Sequence, residues 1–500
     1  MLHLGDGPAP SPLRDFVGSD LRLAGDEKAV DVAGLRSVPM EPADRALLAA
    51  FVMAAVLGTL GQSLLVNDGA IFVAAGWLGD SWDLYFRQVA SRAVSTYLSF
   101  GPAQLVLRAL PLSAGAFVVL AHILYFAAPL VLWLLLRAIE PYRVFSRLYL
   151  AMVLALLFFP SETIVGIGLW MIWLALASDP RRTLREVVAS TILLGAALVF
   201  THPAVAAMSL LYLAVGAALA VVGKPIPRQS LFAAAALSVI LLAGNLVTSR
   251  LLAPTNPQIV AALASGRSAY LDPVAMTEEI GHFMAIGVLW LLLVGPGLFG
   301  RFGPVSFALL AILGLWSAAA GTNLLTYLAA RHTAPYVLAV AVTLALAAPD
   351  RWLKEARPGL VLYAAIAAIA AVSYASDLLL FGQYVDRRLA PGYVNVEALR
   401  SEPWPAPYLK SSLAHMAFKW GAEPDYVRDV VVPTYDWYRI TLAFISFFRS
   451  DRQAVLFHPT GRPEDWLPFE CAAVQRASAR ARDASDGTFL EFLGANACVR

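Results

Sequence analysis

Charge is what this sequence has least of. Only 14% of its 500 residues are Asp, Glu, Lys or Arg, while 59% are hydrophobic. Soluble chains average about 25% charged residues, so this scarcity excludes an ordinary soluble globular protein. A mean hydropathy of +0.67 agrees, and the class it indicates is an all-α polytopic membrane protein. The net charge is +2, and no concentrated basic tract is present, which excludes a nucleic-acid partner. No glycine-rich nucleotide-binding motif is apparent, so no nucleotide cofactor is expected. The first 45 residues are polar and proline-rich, without an apolar core, so no cleavable signal peptide is expected there. Internal repeats and low-complexity tracts are missing. Arginine greatly outnumbers lysine and alanine is abundant, a compositional hint of a GC-rich bacterial gene.

What is present is a series of apolar runs of membrane length. They lie at Ala46–Val66, Ala114–Leu136, Leu231–Ser249, Phe283–Phe299, Val305–Ala320, Leu324–Ala348 and Leu360–Leu380. Between the second and third lie two hairpin-like regions. Leu148–Ala177 is broken at Pro160-Ser161-Glu162, and Val187–Val222 at His202-Pro203. Each reads as two short spans or a re-entrant pair, and both readings return the chain to the same side. Counted as pairs, they bring the total to about eleven spans.

Alternate loops carry the positive charge: Arg137, Arg143 and Arg147; Arg181, Arg182 and Arg185; Lys224 and Arg228; Arg301; Arg351, Lys354 and Arg357. The two hairpin tips have none. By the positive-inside rule the N-terminus is cytoplasmic, and an odd span count puts the C-terminus outside. The organisation expected is a cytoplasmic segment 1–45, a transmembrane domain 46–380, and a periplasmic domain 381–500 of mixed α/β character in the inner membrane of a bacterium. The only cysteines, Cys471 and Cys498, fall in that last segment. An exported pair is most simply a disulfide, with two unpaired thiols as the alternative. A zinc site needs four ligands, and no second Cys or His pair is near.

The first outer loop, Asn67–Pro111, is long for a connection, and long loops are usually functional or disordered. This one is too aromatic for disorder. Phe72, Trp77, Leu84, Val89 and Val94 fall near helical spacing, so the loop reads as one or two helices along a membrane surface. It also holds Arg87 and Arg92.

Ionisable residues at membrane depth are costly and are functional candidates by default. Asp68 stands where the first span leaves the bilayer, placed to serve as a general base or to contact a cation; it also reads as a polar helix end. Glu162 lies on the same side, as a second carboxylate or as a residue favoured by a helix dipole beside a capping Ser161. His202, before Pro203 at a turn, reads as a substrate contact or as structural. Arg331 and His332 sit a turn or two inside the outer end of their run. A guanidinium there suits a phosphate, or it snorkels or pairs with another helix.

This layout resembles the GT-C superfamily of membrane glycosyltransferases. The shared features are a cytoplasmic N-terminus, an Asp directly after the first span, a long first outer loop with interfacial helices, a late-span Arg and a C-terminal outer domain. The resemblance covers roughly residues 46–380 in architecture. It implies transfer of a sugar from a polyprenyl-phosphate donor to an extracytoplasmic acceptor. Asp68 would be the loop acid, Glu162 the second outer-loop acid and Arg331 the phosphate-binding residue. The chain departs from the commonest pattern in having Asn67-Asp68 rather than an adjacent acidic pair, which leaves a divalent cation open. Two other classes use the same residues differently. A transporter or flippase would use them as substrate contacts, although no two-fold repeat is apparent. A non-catalytic scaffold would only display the C-terminal domain.

Overall fold

A computed structural model describes residues 40–61, 63–65, 92–110, 114–140, 142–156, 161–252, 334–388, 392–395 and 455–458, with a few single residues between. Met40 aside, these belong to one compact unit, Glu41–Arg500. The first long loop from Asn67 to Ser91 (Val73 and Gly76 excepted), the runs at 283–320, Arg331, His332 and both cysteines lie outside the described residues.

The first helix, α1, spans Pro42–Leu60. It starts a turn before the apolar run because Glu41 and Asp44 form a capping box and Pro42 suits the first helical position. Then come α2 (Ala93–Ala109) and α3 (Ala114–Ile139). The first broken region gives α4 (Val144–Leu156) and α5 (Thr163–Ser178). The second gives α6 (Leu184–Val199) and α7 (Ala204–Val221). The polar residues and prolines between the apolar halves thus separate helices, as the sequence pattern predicts. After α7, Gly223 adopts φ +77°, and the amides of Gly223 and Lys224 donate to Ala220 and Leu219. This is a Schellman turn, which favours glycine at its left-handed residue.

The remaining helices among the described residues are α8 (Arg228–Leu252), α9 (Ala334–Leu346), α10 (Pro349–Glu355) and α11 (Arg357–Arg388). Helix α11 runs past the expected boundary at Leu380. Two short strands, β1 (Gly392–Asn395) and β2 (Val455–His458), pair in parallel, with Gly392 opposite Val455.

Among the described residues, four helices are long and apolar enough to cross a membrane: Pro42–Leu60, Ala116–Ile139, Ala204–Val221 and Arg228–Thr248. Their outward faces carry Val52 and Val56, Ile123 and Leu134, Leu210, and Phe232 and Val239. Soluble proteins rarely expose such continuous apolar surface. The arrangement is that expected of an all-α, multi-pass membrane protein.

Helices α4 and α5 are different. At about 20 and 24 Å by helical rise, they are shorter than a bilayer core of roughly 30 Å. Nearly every residue of both is buried. Helix α4 is packed by α1, α3, α5, α9, α10 and α11, and its sequence is apolar on all sides because all sides meet protein. Several polar side chains inside are matched. Trp170 and Trp173 donate to Ser209 and Thr191, at 2.9 and 3.0 Å, and Tyr212 pairs with Ser230 at 2.6 Å. Gly168 permits the closest approach around α5, since a Cβ there would lie 2.7 Å from Leu132.

Helix α2 packs lengthwise and antiparallel on α3. Phe100 stacks on Tyr125 at 5.3 Å, and Gln104 lies near Phe117, both against Gly76. Residues 93–109 therefore form a hairpin arm with α3; the spacing that suggested a helix along the membrane surface, Phe72 to Val94, falls mostly outside the described residues.

Candidate functional site

Two charged clusters occupy opposite ends of the described helices. The first forms where α4 turns into α5 and α6 turns into α7. Here the Ser161-Glu162 and Thr201-His202 tips lie side by side, with the start of α2 against them. The Val94 amide donates to the Phe200 carbonyl at 2.8 Å, and Ser95 Oγ to the Thr201 carbonyl at 3.4 Å. A Cβ on Gly166 would lie 3.1 Å from Thr201, so the two tips approach closely.

Glu162 is fully buried, and Arg92 Nη1 donates to its Oε1 at 3.0 Å. A buried carboxylate without a partner would be strongly disfavoured; this one also receives Ser161 Oγ at 3.3 Å. Ser161 is held in turn, donating its amide to Tyr125 Oη at 3.0 Å and accepting the Thr163 amide on its Oγ at 3.2 Å. Because Tyr125 is eleven residues into α3, the pair lies about 16 Å below the start of that helix. Glu162 is a recessed group, not an exposed hairpin tip.

His202 is also buried, and its Nδ1 accepts the Ala204 amide at 3.1 Å. That bond caps the start of α7 and gives the imidazole a structural task. Another buried histidine ties the end of the first apolar run to the bundle. Leu64 donates its amide to His122 Nε2 at 2.9 Å, so the ring's proton sits on Nδ1, 2.7 Å from the Val118 carbonyl. The chain that leads to Asn67-Asp68 therefore leaves α1 at the same end as Glu162. Asp68, Arg87, Arg331 and His332 themselves lie outside the described residues.

The second cluster joins the start of α1, the α3–α4 turn and the start of α11. Arg147 and Asp44 are both buried, with Nε–Oδ1 at 2.7 Å and Nη2–Oδ2 at 3.3 Å. Arg147 Nη2 also reaches Glu41 at 3.0 Å. Arg137 lies 3.5 Å from Asp44, Arg143 lies 3.1 Å from Glu41, and Arg357 bonds Glu41 as well. The sequence pattern places Arg147 in a loop; it is instead in the first turn of α4, inside the protein. Burial pushes the Glu41 carboxyl up, but the hydrogen bond and charge of Arg147, with the Arg357 and Arg143 charges, hold it below the usual range. At the end of α3, burial raises the Glu140 carboxyl to about 8; its bonds from Ser146 only partly oppose this, and the Asp44 charge adds to it. Asp179, near the start of α6, is pushed up by burial but held low by Arg181, which donates to it at 2.9 Å.

Arg92 as the partner of Glu162 and Asp44 as the partner of Arg147 are what sequence reasoning misses. Each pair is far apart along the chain. One signal was available: Asp44 is an acid at the edge of the first apolar run, where a carboxylate drawn into the bundle requires a partner. Among the described residues no group of three His, Cys, Asp or Glu is placed to hold a metal ion. No protein-family model matches the chain, and neither a curated protein nor a solved structure matches it.

Proposed function

We propose that this chain is a glycosyltransferase of the bacterial inner membrane, moving a sugar from a polyprenyl-phosphate donor to an extracytoplasmic glycan, lipid or protein. The observation that best supports this reading is the recessed Glu162–Arg92 pair at the end of the bundle from which the chain leads to Asp68. A recessed cation–carboxylate pair, with Asp68 proposed to lie on the same side, suits a reaction that develops charge on a phosphate and removes a proton from a hydroxyl.

In the proposed step the acceptor oxygen attacks the anomeric carbon, and Asp68 takes its proton. The bond between that carbon and the phosphate oxygen breaks, and the polyprenyl phosphate leaves with the electron pair. Attack opposite the leaving group inverts the anomeric centre. Arg331 and His332, with Arg87 in the first outer loop, are proposed to contact the phosphate and sugar. About eleven spans, a cytoplasmic N-terminus and a periplasmic α/β domain with Cys471 joined to Cys498 complete the proposal. Its orientation is supported by the charge distribution: Arg137, Arg143, Arg147, Arg181, Arg182 and Arg357 all lie at the end away from Glu162.

Membrane vesicles given a polyprenyl-phosphate sugar test the reading. Asp68→Asn keeps the side-chain shape and removes the base, so turnover should fall by about a hundredfold or more. Unchanged turnover in that variant refutes the assignment. Flux of the lipid-linked sugar without transfer supports a transporter, and neither activity supports a scaffold.

A further inference from the structure

The residues of α2 that follow Arg92 on its own face are polar. Thr96 and Ser99 stand four and seven positions on, at helical spacing, and are 6% and 1% exposed. Their hydroxyls have no hydrogen-bond partner among the described residues, and neither does Arg92 Nε. Buried polar atoms are nearly always bonded, so three orphans on one stripe call for a specific explanation. The stripe extends about 10 Å outward from the ion pair, alongside Ser95, whose hydroxyl is already committed to Arg92 and Thr201 carbonyls.

Arg92 is engaged with Glu162 through one terminal nitrogen, and its side chain is 19% exposed. The guanidinium is a planar fork of five donors. A fully buried carboxylate fixing one prong orients the others, as supporting residues do for a phosphate-binding arginine. Glu162 has no exposure of its own and is placed to act through Arg92.

We infer that Arg92 holds the phosphate of a ligand, that Glu162 is its positioning residue, and that Thr96 and Ser99 hydrogen-bond hydroxyls carried next to that phosphate. The ligand class is a phosphate ester of a polyol. This rests on the glycosyltransferase reading and deepens it, because it assigns the donor's head group to α2. The phosphate is either lipid-borne or free, and the experiment separates the two.

The test uses the full chain in lipid nanodiscs and measures binding of four probes: a polyprenyl monophosphate, the corresponding polyprenol, a polyprenyl-phosphate hexose and inorganic phosphate. The wild type should prefer the monophosphate to the polyprenol by about tenfold or more, the scale of one charge-assisted contact. Arg92→Gln should erase that preference, Arg92→Lys should retain part of it, and Arg182→Gln, at the other end of the bundle, should leave it intact. Thr96→Val with Ser99→Ala should weaken the hexose-bearing probe by about threefold or more, and the bare monophosphate much less. Inorganic phosphate binding as tightly as the lipid would identify a free anion as the ligand, with the same dependence on Arg92.

If Arg92→Gln does not fold, as judged by its melting temperature, the lysine variant and the hydroxyl pair decide. A full phosphate preference in Arg92→Lys, together with unaltered hexose binding in the hydroxyl pair, overturns the inference and leaves the glycosyltransferase reading standing. A wild type that does not distinguish any phosphate from the polyprenol overturns both.

Discussion

The Asp44–Arg147 pair makes the sharpest stability prediction. Both side chains are within 2% of complete burial, and the carboxylate receives Nε at 2.7 Å and Nη2 at 3.3 Å. Removing one member of such a pair strands the other charge, at a cost of about 3–5 kcal/mol. Asp44→Ala should fall near the lower end, about 3 kcal/mol, because Glu41 still reaches Arg147 at 3.0 Å. Arg147→Met should cost a similar amount by stranding Asp44, softened by Arg137 at 3.5 Å. The double variant removes both charges and leaves nothing stranded. It should therefore be more stable than the sum of the single losses implies, by about 1.5 kcal/mol or more. Unfolding by SDS in mixed micelles, followed by tryptophan fluorescence, gives the four free energies. Single losses that add to within about 0.5 kcal/mol would refute the claim that these residues act as one buried unit.

Glu140 should make stability fall with pH. Its carboxyl is raised from 4.5 to about 8 in the folded chain, so between those values the folded state holds a proton that the unfolded state has released. That contribution is complete below about pH 4.5 and lost as pH rises through about 8, amounting to up to roughly 4–5 kcal/mol at 1.36 kcal/mol per unit. Unfolding at pH 5, 7 and 9 should show a steeper loss in the wild type than in Glu140→Gln, and parallel profiles would dismiss the effect. Gly168→Ala should destabilise by about 1–3 kcal/mol, since its Cβ would meet Leu132 at 2.7 Å and Tyr149 Oη at 2.8 Å; an unchanged melting temperature would show that α5 shifts freely.

The sequence made much of this fold legible because the governing signals are local. A proline beside polar residues in an apolar run, as in Pro160-Ser161-Glu162 and Thr201-His202-Pro203, marks a helix break, so the α4–α5 and α6–α7 junctions could be located in advance. Pro102 and Pro129, without such neighbours, are carried inside α2 and α3. Asp44 and Arg147 were harder. Each stands at the edge of an apolar run, where a charge reads as a loop residue at the water boundary, and only packing reveals that both are inside. The partner of Glu162 was out of reach for a similar reason: Arg92 is seventy residues away, and no spacing rule joins an arm helix to a hairpin tip. The surface-helix expectation rested on Phe72, Trp77, Leu84, Val89 and Val94, and all of these but Val94 lie outside the described residues.

The enclosure of α4 bears on how the protein is assembled. A helix of 13 residues whose first turn carries Arg147 is a poor passenger for lipid on its own. Some of the walls around it are made early, by α1 and α3, but α9, α10 and α11 are synthesised some two hundred residues later. Until they arrive, one flank of α4 faces lipid or the insertion machinery, and Arg147 has Asp44 and Glu41 but not the covering α11. The last-made helices thus act as a closing door, and a chain cut short before Ala334 would present quality-control proteases with an open one.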